Sequence, residues 1–279
     1  MTGQQPRSHE DTPHADEMPM LGLGTWQNDD PEECRTAVET ALNAGYRHVD
    51  TAQVYGNEAE VGEGIERANV DREDVFLATK VWIENLAPED VHETARASLD
   101  RLGVDSVDLL YVHWPAHEYE PEPTLDAFNE LYDDGLVDRI GVSNFQPDQL
   151  AEAVDVSAAP VFANQFECHP LLQQRDLRDA CAEHDVEVVA YSPLARGEVF
   201  RIEELTDIAD KHDASAAQVS LAWLREKGVT TIPKATSEAH VLDNLKSLAL
   251  DLDDEDVAAI DAIDRANRRV DPDFGPWNR

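Results

Sequence analysis

The sequence predicts a (β/α)8 barrel, a TIM barrel of the α/β class in one domain. Three observations carry this. Short apolar or β-branched runs recur eight times, at 20–24, 46–50, 75–80, 107–113, 139–143, 161–165, 186–191 and 229–233. Segments with helical spacing separate them, and strands apolar on both faces that alternate with helices form a parallel sheet. The 279 residues suit a closed barrel built as one domain. A doubly wound sheet would place a third glycine after Gly22-Leu23-Gly24, where Thr25, Trp26 and Gln27 stand instead.

Residues 1–17 read as a disordered acidic and polar tail, and 18–279 as the barrel. The first strand is followed by a helix over 31–44, which Gly45 closes. The strand at 46–50 ends on Asp50 and leads to a helix at 57–69. The strand at 75–80 ends on Lys80. The helix at 88–102 puts Val91, Ala95, Leu99 and Leu102 on one stripe, with Pro88 in its first turn and Gly103 at its end. The strand at 107–113 ends on His113, and Gly135 closes the helix at 122–135. The next two strands end on Ser143-Asn144 and Gln165, with helices at 147–154 and 173–184. The seventh strand ends on Tyr191-Ser192, before a helical stretch at 203–227 that is expected to break. The last strand leads to Lys234 and a helix at 236–247. A ninth helix at 252–264 lies outside the barrel, with Asp253 and Asp254 favourably placed against its dipole. The irregular tail 265–279 holds Phe274 and Trp277, which dock over the barrel mouth or on the outside.

Composition bounds the function. The formal net charge is −37, with 59 acidic residues against 22 Lys and Arg. A polyanion such as nucleic acid would be repelled. The carboxylates are spread along the chain rather than gathered in a block, which reads as a halophile's hydrated surface. No run of apolar residues is long enough to span a bilayer, and the N-terminus lacks a signal peptide's apolar core. A cytoplasmic monomer is expected. Cys34, Cys168 and Cys181 have neither the number nor the spacing of a disulfide framework or a zinc site. Cys168 and His169 point opposite ways on an extended segment, so the thiol reads as buried rather than nucleophilic. The histidines lack metal-ligand spacing, and no metal is expected.

In this barrel, catalytic groups sit at the carboxyl ends of the strands. Those ends carry Thr25-Trp26, Asp50, Lys80-Trp82, His113-Trp114, Ser143-Asn144, Gln165, Tyr191-Ser192 and Lys234. Polar and aromatic groups at equivalent positions of eight repeats are poorly explained as separate structural hydrogen bonds. Tyr55 adds a proton donor in the loop after Asp50. A nearby ammonium, Lys80, would lower its pKa, and Asp50 would hold the ammonium. A neutral His113 would donate to the same oxygen. That set suits protonation of a carbonyl oxygen as a hydride reaches the carbon.

The chain closely resembles the aldo-keto reductases. The resemblance rests on GLGTW at 22–26, GYRHVDTAQVYGNEAEVG at 45–62, ATKVW at 78–82, DLLYVHWP at 108–115, IGVSNF at 140–145, NQFECHP at 164–170, YSPLARG at 191–197 and IPKAT at 232–236. It covers residues 18–260 in order and is similar to the prokaryotic 2,5-diketogluconate and methylglyoxal reductases. It implies an NADPH-dependent reductase of aldehydes and ketones, of the alcohol dehydrogenase (NADP+) type. Tyr55 would be the general acid, tuned by Asp50 and Lys80, with His113 orienting the carbonyl. Tyr191 would stack on the nicotinamide, and Ser143, Asn144 and Gln165 would hold its carboxamide. Thr25, Ser192 and Leu194 would contact the cofactor. Lys234, Thr236, His240 and Asn244 would hold its adenosine end. Trp26, Trp82, Trp114 and His113 would line the substrate pocket. Where the family has IPKS, this chain has Ala235, and His240 stands where an Arg is usual. Losing that guanidinium weakens phosphate recognition, so a preference for NADP relaxed toward NAD is expected. The short stretch between Arg196 and Glu204 implies no long segment over the cofactor.

Two other functions fit the barrel. A non-catalytic NADP-binding regulatory module would keep the cofactor residues but has no need of an intact tetrad. A phosphate-binding isomerase or aldolase would want a glycine-rich loop near the last strands, and Ile232-Pro233-Lys234-Ala235 is not one. Because the surface charge is tolerable only when screened, folding and activity are expected to rise with molar KCl. Full activity in dilute buffer would count against the halophile reading.

Overall fold

The structure, a computed structural model, describes residues 12–278. A short antiparallel hairpin, β1 (His14–Ala15) and β2 (Met18–Pro19), precedes the barrel. The parallel sheet then runs β3 (Leu23–Gly24), β4 (His48–Asp50), β5 (Phe76–Val81), β6 (Leu109–Val112), β7 (Ile140–Ser143), β8 (Val161–Glu167), β9 (Glu187–Tyr191) and β10 (Thr230–Thr231). These 8 strands pair in chain order. Bridges from Leu21 to Thr231 and from Gly24 to Lys234 join the first to the last and close the barrel. The Gly22 and Gly24 amides donate across this seam to the Thr231 and Pro233 carbonyls at 2.8 and 3.2 Å. A Cβ on Gly24 would stand 2.6 Å from the Ile232 carbonyl oxygen, and one on Gly22 2.7 Å from the His48 ring. The seam therefore needs glycine at both positions.

The helices are α1 (Pro31–Ala44), α2 (Glu58–Arg67), α3 (Pro88–Leu102), α4 (Pro121–Asp133), α5 (Pro147–Val156), α6 (Arg175–Glu183), α7 (Glu203–His212), α8 (Ala216–Glu226), α9 (Glu238–Leu245) and α10 (Asp254–Asp261). Local chemistry sets their ends. The Asp30 carboxylate accepts from the Glu32 and Glu33 amides at 3.0 and 2.9 Å, and Pro31 follows it. Gly45 ends α1 at φ 118°. The expected break in 203–227 falls between α7 and α8. Asp213 turns the chain at φ 52°, and the Ser215 hydroxyl restarts it by accepting from the Gln218 amide at 3.1 Å. Asp253 caps α10 reciprocally with Asp256, and Asp254 stands in its first turn as expected.

One expectation is corrected at its inner edge. Residues 1–11 of the expected tail lie outside the described residues, but His14–Pro19 form the hairpin at the N-terminal end of the barrel. Met18 is fully buried and packs with Met20, Phe76, Leu109, Ala163 and Val189 inside the barrel. Arg139 pairs with Glu17 and stacks on Phe76 and Phe162, 5.6 and 5.2 Å from their centroids. Strands of two residues have no hydrophobic period to read, so only tertiary packing reveals them. A larger apolar shell fills the space between sheet and helices. A third, small cluster sits at the barrel mouth, where Trp82, Val270, Phe274 and Trp277 pack on Ile83, Trp114 and Ala116. The C-terminal tail thus takes the first of its two expected positions.

Candidate active site

Parallel strands in register bring the ends of β4, β5 and β8 to one rim, and the residues there bond across the barrel. Lys80 is fully buried, and its ammonium pairs with Asp50 Oδ1 and donates to the Thr51 carbonyl at 2.7 Å. Asp50 Oδ2 accepts from Gln165 Nε2 at 2.7 Å. Burial pushes the Lys80 pKa down, while the Asp50 carboxylate opposes that shift. Beneath the ammonium lies the Tyr111 ring, 5.8 Å away, for which Gly141 leaves room. Glu58, also buried, accepts from the Thr79 hydroxyl at 2.6 Å and from Arg101 Nε at 2.8 Å, which braces β5 from outside.

Tyr55 stands in a tight turn over residues 53–55 that Gly56 ends at φ 68°. Gln53 straps the turn to the next strand by accepting from the Trp82 amide and Asn85 Nδ2 at 3.1 and 3.0 Å. Asn57 holds the other side, accepting from the Thr51 hydroxyl at 3.1 Å and donating to the Thr25 carbonyl at 2.9 Å. These bonds set the Tyr55 ring 5.2 Å from the Lys80 ammonium and edge-on to His113 at 5.8 Å. Asn144 Nδ2 donates to the His113 carbonyl at 3.1 Å.

The electrostatics differ from the sequence expectation in one respect. Burial, reinforced by the Asp50 carboxylate, pushes the Tyr55 phenol well above its ordinary value. The Lys80 ammonium, paired with Asp50, does not reverse that shift. Tyr55 is therefore held protonated, the form that donates. Burial and the Lys80 charge push His113 well below its ordinary value, which keeps it neutral.

These groups open into a cavity of about 680 Å³, a size typical of small-molecule sites. Of the residues expected to serve there, Thr25, Trp26, Asp50, Tyr55, Trp82, His113, Trp114, Asn144, Gln165, Tyr191, Ser192, Leu194 and Lys234 line it. Lys80 acts from beneath. Ser143 lies behind the wall, its hydroxyl donating to the Gln165 carbonyl at 2.8 Å. The Tyr191 hydroxyl donates to Asn144 Oδ1 at 2.7 Å, so its ring is fixed at the cavity edge. That ring, with the Asn144 and Gln165 amides beside it, fits a flat ring carrying a carboxamide.

The structure does not bring Thr236, His240 and Asn244 into this cavity. His240 is exposed in the first turn of α9, and Asn244 is buried on the same helix. Thr236 instead lines a groove of about 290 Å³ with Asp30, Glu32, Glu33, Thr36 and Ser237. Cys168 is fully buried, its thiol donating to the Gln173 carbonyl at 3.6 Å, and burial pushes it up to about 12. It is buried, as expected.

Sequence reasoning gave no role in the cavity to Arg196 and left the position of the tail open. Arg196 lies 4.5 Å from the Trp26 ring centroid, bridging the loops after β9 and β3. With Lys234 it gives the lining two cations in a strongly acidic chain. Its signal was the positive residue within YSPLARG. The tail supplies Val270, Pro272 and Phe274. Their signal was an aromatic pair in an irregular segment, which left the docking face open.

Known proteins are similar in sequence and fold. The Aldo/keto reductase family matches residues 20–265. A 9,11-endoperoxide prostaglandin H2 reductase of Trypanosoma cruzi (strain CL Brener) is 39% identical over 261 residues, covering 92% of each chain. A glyoxal reductase of Bacillus subtilis (strain 168) is 40% identical over 256 residues, again covering 92% of each. The crystal structure of a putative 2,5-diketo-D-gluconic acid reductase B superposes with a TM-score of 0.88 at 38% identity and 92% coverage of both chains. With its closed barrel and the Asp50, Tyr55, Lys80 and His113 cluster at the mouth, the chain belongs to the aldo/keto reductase family of oxidoreductases.

Proposed function

We propose that this protein reduces aldehydes and ketones to alcohols with NADPH, Tyr55 serving as the general acid. The observation that carries the reading is the placement of Tyr55 and His113 edge-on at the floor of the cavity, above the buried Lys80–Asp50 pair. A reduced nicotinamide bound against Tyr191 would supply the hydride. Asn144 and Gln165 would orient the carboxamide, and Arg196 and Lys234 would face the phosphates. The substrate oxygen would lie between the Tyr55 hydroxyl and the neutral His113 ring. As charge grows on that oxygen, His113 donates a hydrogen bond and Tyr55 transfers its proton. The phenolate left behind is stabilised by the nearby Lys80 ammonium until solvent returns the proton. Trp82, Trp114 and Phe274 exclude water and favour planar or apolar carbonyls. Glyoxal and related small dicarbonyls, named for the bacterial relative, are further candidate substrates.

The adenosine end argues for a modest cofactor preference. Lys234 is exposed and available to a 2′-phosphate, but Asp30, Glu32 and Glu33 line the small groove with Thr236 and Ser237. Like charge there offsets part of the gain from Lys234. Ala235 supplies no hydroxyl.

Three measurements check these points. Tyr55→Phe is expected to lower kcat for NADPH oxidation with 4-nitrobenzaldehyde by about 10²–10⁴-fold while NADPH binding persists. Because the Tyr55 pKa is raised and the His113 pKa lowered, both donors keep their active forms across the neutral range. Wild-type reduction should be flat from about pH 6 to about pH 9 and fall only at more alkaline pH. Equal rates for wild type and variant would remove Tyr55 as the acid, as a non-catalytic module would require. In molar KCl, kcat/KM for NADPH is expected to exceed that for NADH by less than about tenfold. A hundredfold preference for either would overturn the account of the adenosine end.

A further inference from the structure

An irregular tail has few backbone hydrogen bonds to hold it, yet this one forms a wall of the cavity. Phe274 packs edge-on against Trp114 at 5.4 Å and Trp82 at 6.2 Å, and Trp277 lies 5.6 Å from Trp114. The tail is also tied to itself. Arg268 stacks on Trp277 at 3.6 Å, and Trp277 Nε1 donates to Asp271 at 2.7 Å.

Its root is fastened largely by one side chain. Glu167 is the last residue of β8, two positions beyond Gln165, so both side chains project from the same face of the strand. Glu167 is fully buried. Its Oε1 accepts from the Arg269 amide at 2.6 Å and is paired with His169 Nε2 at 2.8 Å, and its Oε2 accepts from the Val270 amide at 2.9 Å. The Asn267 amide donates to the Leu171 carbonyl at 2.7 Å, which holds the chain only up to that point. Beyond it, the Glu167 bonds and an Arg269–Glu198 ion pair at 3.4 Å tie residues 268–270 down. A buried carboxylate is tolerated only when its lone pairs are met, and two of its three donors belong to the tail.

We propose that Glu167 is a positioning residue for substrate selection. Its carboxylate clasps the Arg269 and Val270 amides so that Phe274 completes the aromatic wall of the pocket. This rests on the carbonyl-reductase reading above. Opening the clasp would free the wall while Tyr55, His113 and the Lys80–Asp50–Gln165 bonds stay in place. The selectivity for aromatic over small aliphatic carbonyls would then fall.

The experiment compares wild type, Glu167→Ala, Glu167→Gln and Phe274→Ala in molar KCl. In Glu167→Ala the KM for 4-nitrobenzaldehyde is expected to rise about tenfold, the worth of a lost aromatic contact. Its kcat, and its KM for propanal, should change by less than about twofold. Phe274→Ala should reproduce the aromatic KM effect with the clasp intact. Independently of turnover, hydrogen exchange at the Arg269 and Val270 amides should accelerate at least about tenfold in Glu167→Ala but not in Phe274→Ala. Should Glu167→Ala not fold, Glu167→Gln keeps the volume and one acceptor oxygen and carries the same readouts. Retained amide protection would overturn the clasp. Lost protection with an unchanged aromatic-to-aliphatic KM ratio would overturn its role in selection. If wild type reduces neither aldehyde, the carbonyl-reductase reading fails, and the exchange data still decide whether Glu167 holds the tail.

Discussion

A lysine ammonium and an aspartate carboxylate, buried against each other at the mouth of the barrel, constrain everything around them. Neither Lys80 nor Asp50 has appreciable contact with water. Removing one partner of such a pair leaves an uncompensated buried charge, at a cost of roughly 3–5 kcal/mol. Each remaining polar atom must also find a partner in the protein. The ammonium reaches the Thr51 carbonyl, and the second carboxylate oxygen reaches Gln165 on the far side of the barrel. Strands β4, β5 and β8, distant in sequence, are thereby fixed relative to one another at the rim.

The Tyr55 and His113 side chains inherit that rigidity without sharing its bonds. Gln53, Asn57 and Asn144 hold Tyr55 and His113 through backbone groups and neighbouring side chains, so both keep their own polar atoms for a ligand. The low dielectric that makes the ion pair demanding also sets the proton inventory. It keeps the Tyr55 phenol protonated and the His113 imidazole neutral, two uncharged groups lining the same cavity.

Much of this was legible in the sequence because it is local. Gly45, Pro88 and Gly103 mark α1 and α3 at the expected residues, and all eight strand ends carry a residue that lines the cavity. The rest depends on contacts between distant segments. The hairpin around Met18 has no period, and its burial comes from the barrel it plugs. Thr236, His240 and Asn244 have the expected spacing from Lys234, but α9 carries the latter two away from the main cavity. Glu167 stood in view within NQFECHP, yet its partners are amides about a hundred residues later, which no local pattern announces. The direction of the Tyr55 shift failed for a similar reason. Spacing placed an ammonium near the phenol but could not give the burial that outweighs it, which distant segments supply.

The central claim is that the Lys80–Asp50 pair holds the site together, and a double-mutant cycle tests it most directly. Unfolding free energies would be measured in molar KCl for Lys80→Met, Asp50→Asn and the double variant. Each single change should cost about 3–5 kcal/mol, and the double variant should lose markedly less than their sum, with kcat reduced in all three. Strictly additive losses with kcat retained would contradict the account.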